Sequence, residues 1–205
     1  MDSKKVHQLS GIVLSGFIGI HLANHVYGLF GADKHIELMN MLRLFYRNRF
    51  IETVLLLAVF SQIITGLTLF SKKRKVPLSG FGKIQLGSGL YLAIFLVVHV
   101  SAVFAGRLVL HLDTNFYFGA AGLNTFPLNL FFVPYYALAI LSVFGHVATV
   151  HAQKMTRSIG GISPRNQAKW ILTVGLILTM VIFYGLTNEF AGVEIPKEYD
   201  VMTGK

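Results

Sequence analysis

The chain has 205 residues, of which 54% are hydrophobic and 13% are charged, and its formal net charge is +9. So small a charged fraction is typical of membrane proteins, because a soluble globule of this size needs more charge on its surface. The sequence contains no cysteine, which excludes iron-sulfur clusters, c-type haem attachment and disulfides within this polypeptide. The basic residues lie mainly in short loops between apolar runs, which favours membrane topology over nucleic-acid binding as their explanation.

The first eight residues are polar and too short for a signal peptide. No small-residue cleavage site follows, so the first apolar run is expected to stay in the mature protein. A helix needs about 20 residues to cross a bilayer. Five stretches reach that length: 9–30, 50–71, 85–110, 130–152 and 168–190. The connections between them are short, which predicts one all-α membrane domain, residues 1–205, with five transmembrane helices.

The distribution of lysine and arginine predicts the orientation of these spans. With the N-terminus inside, the inner face receives eleven basic residues and the outer face seven, and the SKKRK run at residues 71–75 lies inside. Basic residues are enriched in cytoplasmic loops, so the N-terminus is predicted inside and the C-terminus outside. The inner set is Lys4, Lys5, Lys72, Lys73, Arg74, Lys75, Lys83, Lys154, Arg157, Arg165 and Lys169.

The longest outer connection, residues 31–49, mixes apolar and charged side chains. Its apolar positions are Ile36, Met39, Leu42, Leu44 and Phe45. This pattern predicts a short helix that lies on the membrane surface or caps the bundle.

Two apolar segments match each other, GIVLSGFIGIH at residues 11–21 and GLYLAIFLVVH at residues 89–99. Each begins with a glycine and reaches a histidine ten residues later. His21 and His99 would lie roughly 18 and 21 Å from the inner ends of their parallel spans, at 1.5 Å per residue. A histidine in hydrocarbon is costly and needs a partner. Two at matching depth predict a b-type haem held between them.

The other histidines are less specific. His25 follows His21 by one turn, so it is a competing ligand, a group at the haem rim or part of a quinone site. His146 lies in the inner part of the fourth span, where its role stays open, and His151 lies at the inner interface. A hydrogen bond to Ser or Thr on another helix is the ordinary alternative for any of them. Solvated positions are expected for the remaining three, His7, His35 and His111.

Glycines are frequent in the two matching segments and just before the second. Small residues allow helices to approach closely, and they also leave room for a flat macrocycle, and the two readings are compatible. The glycines concerned are Gly11, Gly16, Gly19, Gly87 and Gly89.

Three motifs together resemble the five-helix cytochrome b anchor subunits of bacterial succinate dehydrogenase and fumarate reductase, the single-subunit type. They are Ser10-Gly11 leading to His21, Ser88-Gly89 leading to His99, and LSVFGH ending at His146. The resemblance extends over all five spans. It implies that His21 and His99 ligate the haem b farther from the soluble subunits, and that His146 is one ligand of a nearer haem.

The same resemblance implies a function. The chain would anchor a flavoprotein and an iron-sulfur subunit in the bacterial inner (cytoplasmic) membrane. It would pass electrons between them and membrane quinone, as part of a succinate:quinone or quinol:fumarate oxidoreductase.

The second span departs from the family pattern. Where the two-haem members have a histidine, this chain has Gln62 followed by Gly66. Gln62 and His146 would lie roughly 13 and 9 Å from the inner ends of their spans. An amide and an imidazole suit quinone carbonyl oxygens. This inner site is therefore predicted to hold a quinone in place of the second haem, or a haem with an unrelated sixth ligand.

Two other functions compete. One is a haem-free membrane anchor with a histidine-lined quinone site. The other is a transporter, which is disfavoured because no acidic residue lies in the middle of a span and no span is interrupted by paired glycine and proline.

Overall fold

A computed structural model describes residues 2–204, and the regular secondary structure in that range is helical. An isolated antiparallel bridge joins Ile159 and Ile162. Short 3-10 turns cover Gly28–Phe30 and Lys197–Tyr199. The helices are α1 (Ser3–Tyr27), α2 (Ala32–Tyr46), α3 (Arg49–Lys73), α4 (Gly80–Leu108), α5 (Phe116–Ala120), α6 (Asn129–Lys154), α7 (Pro164–Leu186) and α8 (Asp200–Thr203).

Five of these elements are long and apolar enough to cross a membrane: Ser3–Phe30, which is α1 with its terminal 3-10 turn, and α3, α4, α6 and α7. The five predicted spans are therefore confirmed as helices. All five begin before the predicted residue. The largest differences are at α1 and α4, which polar caps extend: Asp2 accepts a hydrogen bond from the backbone N–H of Lys4, and Ser79 accepts one from that of Gly82. Such caps satisfy N–H groups that have no partner within the helix.

The five long helices form a closed ring. Helix α3 packs between α1 and α4, α6 packs between α4 and α7, and α7 closes the ring against α1. At one end of the ring, side chains link neighbouring helices. Lys154 Nζ of α6 lies 3.5 Å from Gln8 Oε1 of α1, and Lys73 Nζ of α3 lies 2.8 Å from Gln85 Oε1 of α4. We call this the basic end, because it carries the basic run at residues 72–75 and the segment at residues 154–169. The opposite end, which carries α2, is called the α2 end.

Helix α2 covers part of its end of the ring. Met39 is buried, and Ile36 packs against the main hydrophobic cluster, whereas Leu44 and Phe45 are 84% and 62% exposed. Of the two roles predicted for this segment, capping is therefore confirmed for the face that carries Met39. Two ion pairs add to the α2 end, Arg43 with Asp113 at 2.8 Å and Arg107 with Glu52 at 2.6 Å.

Packing is uneven around the ring. The most apolar part of α7 is 28% buried within the protein, compared with 11% for α1, α3 and α4. The main cluster joins α5, α6 and α7 through Phe116, Ile140, Ile182, Phe183 and Leu186. The total accessible surface is 12192 Å², whereas a compact soluble protein of this mass exposes about 9,500 Å². Helices α1, α3 and α4 thus leave most of their apolar surface for lipid or for other molecules.

Candidate functional site

The histidines of the two matching segments face each other. The ring centres of His21 on α1 and His99 on α4 are 6.2 Å apart, with an angle of 67° between the ring planes. Because α3 lies between α1 and α4 in the ring of helices, the two imidazoles meet across the interior of the bundle. The structure therefore brings together the pair that the sequence singled out.

A phenylalanine stacks on each of these imidazoles. Phe17 lies 5.7 Å from His21 at 17°, and Phe95 lies 5.0 Å from His99 at 14°. Each phenylalanine precedes its histidine by four residues, a spacing that places both side chains on one helix face. The stacking restricts how each imidazole can turn. The sequence carried this signal, since phenylalanine occupies the same position in both segments.

The separation of His21 and His99 fits two axial ligands of one metal ion. With about 2.0 Å from metal to nitrogen and about 1.1 Å from nitrogen to ring centre, the ring centres would be about 6 Å apart. Among the described residues, no group of three or more His, Cys, Asp or Glu side chains could hold a metal ion. A haem needs only one or two protein ligands, because the porphyrin supplies the other four, so a two-histidine site fits haem.

His25 lies beside this pair, next to His21 on α1. Its ring centre is 4.7 Å from that of His21 and 5.2 Å from that of His35 on α2. Within the described residues, the Nδ1 atoms of His25 and His35 are buried without a hydrogen-bond partner, as is Oδ1 of Asn24. The α2 end of the site therefore contains unpaired polar atoms next to His21.

The expectation that His35 is solvated was wrong. Its side chain is only 2% exposed, its Nε2 lies 3.2 Å from Asn24 Nδ2, and its ring lies 5.2 Å from that of Phe116. The physical reason is that α2 turns back over the bundle and presents this residue to the interior. His111, by contrast, is exposed as predicted.

The expectation for His7 was also wrong. It lies within α1, is half-buried, and places Nδ1 2.9 Å from Thr65 Oγ1 on α3. Its ring centre is 6.3 Å from that of His146 on α6, at 71°. The reason is that α1, capped by Asp2, begins at Ser3, so His7 lies on the helix and not in a polar tail.

Gln62 lies near this second pair and bonds to α1. Its amide nitrogen donates to the backbone carbonyl of His7 and lies 3.0 Å from Ser10 Oγ. A Cβ added at Gly11 would be 3.0 Å from the same nitrogen. The Gln62 amide thus ties α3 to α1, and Gly11 gives it room.

The glycines divide into two groups. A Cβ at Gly89 would be 3.3 Å from Cε1 of His146, so close approach, one of the two predicted roles, is seen at Gly11 and Gly89. At Gly16, Gly19 and Gly87 an added Cβ would meet no atom of the described residues within 4 Å. These three positions leave open surface.

His151 joins two helices at the basic end, where its Nε2 lies 2.7 Å from Gln167 Oε1 of α7. Two surface cavities of about 430 and 300 Å³ lie elsewhere. The first is lined by residues such as Trp170 and the second by residues such as Tyr184. Neither is lined by a histidine of the two pairs.

The fold defines a helical protein with five segments able to cross a membrane. No protein-family model, curated protein or solved structure matches the chain.

Burial lowers the pKa of His35 to about 4, with smaller contributions from the nearby charges of His21 and Arg43. The folded protein therefore resists protonation of this residue, whereas the unfolded chain protonates near its ordinary value of 6.5. The contribution of His35 to the free energy of unfolding is complete above pH 6.5. It decreases as the pH falls below 6.5 and stops decreasing near pH 4. The total effect is about 3 kcal/mol.

We expect the unfolding temperature in detergent, followed by the fluorescence of Trp170, to fall between pH 7 and pH 5. His35→Gln should make this fall smaller, because it removes a group that binds a proton mainly when unfolded. His111→Gln, at an exposed histidine, is the matched control and should behave like the unmodified protein. Equal pH dependence in the unmodified protein and His35→Gln would contradict the assignment.

Proposed function

We propose that the chain is the membrane-anchor cytochrome b subunit of a succinate:quinone or quinol:fumarate oxidoreductase. In this role it passes electrons between an iron-sulfur subunit and membrane quinone through a haem b held by His21 and His99. The observation that carries the proposal is the 6.2 Å separation of these two imidazoles across the bundle interior. The motifs that resemble the anchor family supply the class of complex, including its flavoprotein subunit.

The residues around the pair suit this role. His21 and His99 supply two neutral imidazoles, Phe17 and Phe95 hold their ring orientations, and the apolar segments keep water away. A bound haem b supplies one-electron transfer.

The test of this function is the haem content of the purified complex. We expect a sharp α-band in the reduced-minus-oxidised absorbance spectrum, and at least one haem b per chain by pyridine haemochrome. A preparation that is folded, associated with its partner subunits and free of haem would overturn the proposal.

The alternative is a haem-free anchor with a quinone site, and one observation favours a quinone at the α2 end. There, Asn24, His25 and His35 present buried polar atoms without partners, and such atoms can hydrogen-bond quinone carbonyls. A photoreactive quinone analogue should label this end. Labelling of a haem-free complex would select the alternative, and labelling of a haem-containing complex would add a quinone site to the first proposal.

The proposed orientation places the basic end inside a bacterial cytoplasmic membrane and the C-terminus outside. The support is the concentration of basic residues in the run at residues 72–75 and the segment at residues 154–169. In the first of these, Lys72, Arg74 and Lys75 are exposed. The iron-sulfur subunit would dock on this face, because electrons must enter from a cluster that this cysteine-free chain cannot hold. Anionic lipid is the other partner that such a face suits.

Reversing charge at the basic end should weaken the complex. We expect the combined change Lys72→Glu, Arg74→Glu and Lys75→Glu to release the soluble subunits at moderate salt, because it replaces attraction to an acidic surface by repulsion. Co-purification at stepped salt concentrations measures this.

The matched control is Arg49→Glu with Lys197→Glu, two exposed positions at the α2 end. It should leave the complex intact. Unchanged assembly of the basic-end variant, or release by the control alone, would count against the docking face.

A further inference from the structure

A second pair of histidines repeats the geometry of the first. The ring centres of His7 and His146 are 6.3 Å apart at 71°, compared with 6.2 Å and 67° for His21 and His99. In the ring of helices α7 lies between α1 and α6, so this pair also meets across the interior. An axial metal site again predicts about 6 Å between the ring centres.

The two pairs lie at different levels on the same side of α1. His7 and His21 are 14 residues apart, which is close to four helical turns and roughly 21 Å along the axis. Both residues therefore point in nearly the same direction from α1. The bundle interior contains one histidine pair towards the basic end and another towards the α2 end.

Each imidazole of the second pair is supported in the same way by a neighbouring helix. His7 Nδ1 lies 2.9 Å from Thr65 Oγ1 on α3, and His146 Nδ1 lies 3.4 Å from Ser88 Oγ on α4. In both cases a hydroxyl residue is followed by a glycine next to the ring. An added Cβ would be 3.5 Å from His7 Cε1 at Gly66 and 3.3 Å from His146 Cε1 at Gly89.

This arrangement is typical of metal ligands. A ligating histidine usually hydrogen-bonds through its other ring nitrogen, and that bond fixes the tautomer and the ring direction. Here Nδ1 is the atom held by each hydroxyl, which leaves Nε2 for a metal. Gln62 adds support by bonding the backbone carbonyl of His7 and the hydroxyl of Ser10.

We propose that His7 and His146 are the two axial ligands of a second haem b, so that His7 takes the position that a histidine on α3 would otherwise fill. The class of cofactor rests on the proposed function. The two ligands are assigned independently, from the separation of His7 and His146 and from their hydrogen bonds. It also gives Gln62 a supporting role at the site, since its amide nitrogen is already engaged with α1.

The test measures haem stoichiometry by pyridine haemochrome and low-spin iron signals by electron paramagnetic resonance, on the purified complex. We expect two haems and two low-spin signals per chain. His7→Leu should remove one signal and His21→Leu the other, each leaving one haem. His151→Gln, at a histidine of the same end that bonds Gln167, is the control and should keep both.

His7→Met separates ligation from a structural role. Methionine is an alternative axial ligand that raises the reduction potential, so this variant should keep two haems with one potential shifted upwards. If His7→Leu fails to assemble, His7→Met still shows whether His7 is a haem ligand. Two unshifted low-spin haems in His7→Met would overturn the inference.

The remaining outcomes separate this inference from the proposed function. One haem in the unmodified complex, lost only in His21→Leu or His99→Leu, would overturn the second site and leave the first. No haem in the unmodified complex would overturn both.

Discussion

Replacing His21 or His99 by leucine is expected to abolish the haem that we assign to this pair, with the loss of one haem per chain. Each imidazole would supply one of two axial bonds, and leucine offers no ligand atom. The reduced-minus-oxidised spectrum and the haemochrome assay measure the loss directly.

His25→Leu is the matched control for this experiment, because His25 lies on the same helix one turn away. Its ring is next to His21 and His35, so the haem should remain in its absence. If His25→Leu abolished the haem and His21→Leu did not, the ligand of α1 would be wrongly assigned.

The second large effect is expected at Gly175, where α7 packs against α6. A Cβ at this position would lie 2.5 Å from both Cβ and Cγ of Phe144. The Cβ of Phe144 cannot rotate away, so the two helices would have to separate. Overpacking of this kind typically costs about 1–3 kcal/mol. We expect Gly175→Ala to lower the unfolding temperature and to loosen α6, which carries His146.

Gly16→Ala is the matched control, since Gly16 is also a helical glycine and an alanine there would meet no described atom within 4 Å. Alanine favours the helix by about 1 kcal/mol relative to glycine. The control should therefore be unchanged or more stable. Equal stability of Gly175→Ala and Gly16→Ala would show that α6 and α7 are not in contact as described.

If both histidine pairs bind haem, α1 carries one ligand of each. The pairs would then form a route along the bundle from the basic end, where the iron-sulfur subunit is proposed to dock, to the α2 end. The unpaired polar atoms of Asn24, His25 and His35 lie at the far end of that route. A quinone bound there would receive or deliver electrons on the side away from the soluble subunits.

The sequence by itself determined the five membrane-length helices and the short helix α2. Long apolar runs leave a backbone no other way to satisfy its hydrogen bonds in lipid. It also singled out His21 and His99, because two equal spacings in two parallel spans fix depth without any knowledge of packing. The stacked phenylalanines Phe17 and Phe95 were open to the same reasoning, since a spacing of four residues defines a helix face.

Only the tertiary structure decided the partners at the two ends. His7 looks like part of a polar tail in the sequence, and it meets His146 because the Asp2 cap extends α1 and the closed ring turns α1 and α6 towards one interior. His35 is buried because α2 folds back over the bundle. Local spacing sets the height of a side chain and its helix face. Which helices those faces meet depends on how all five pack together.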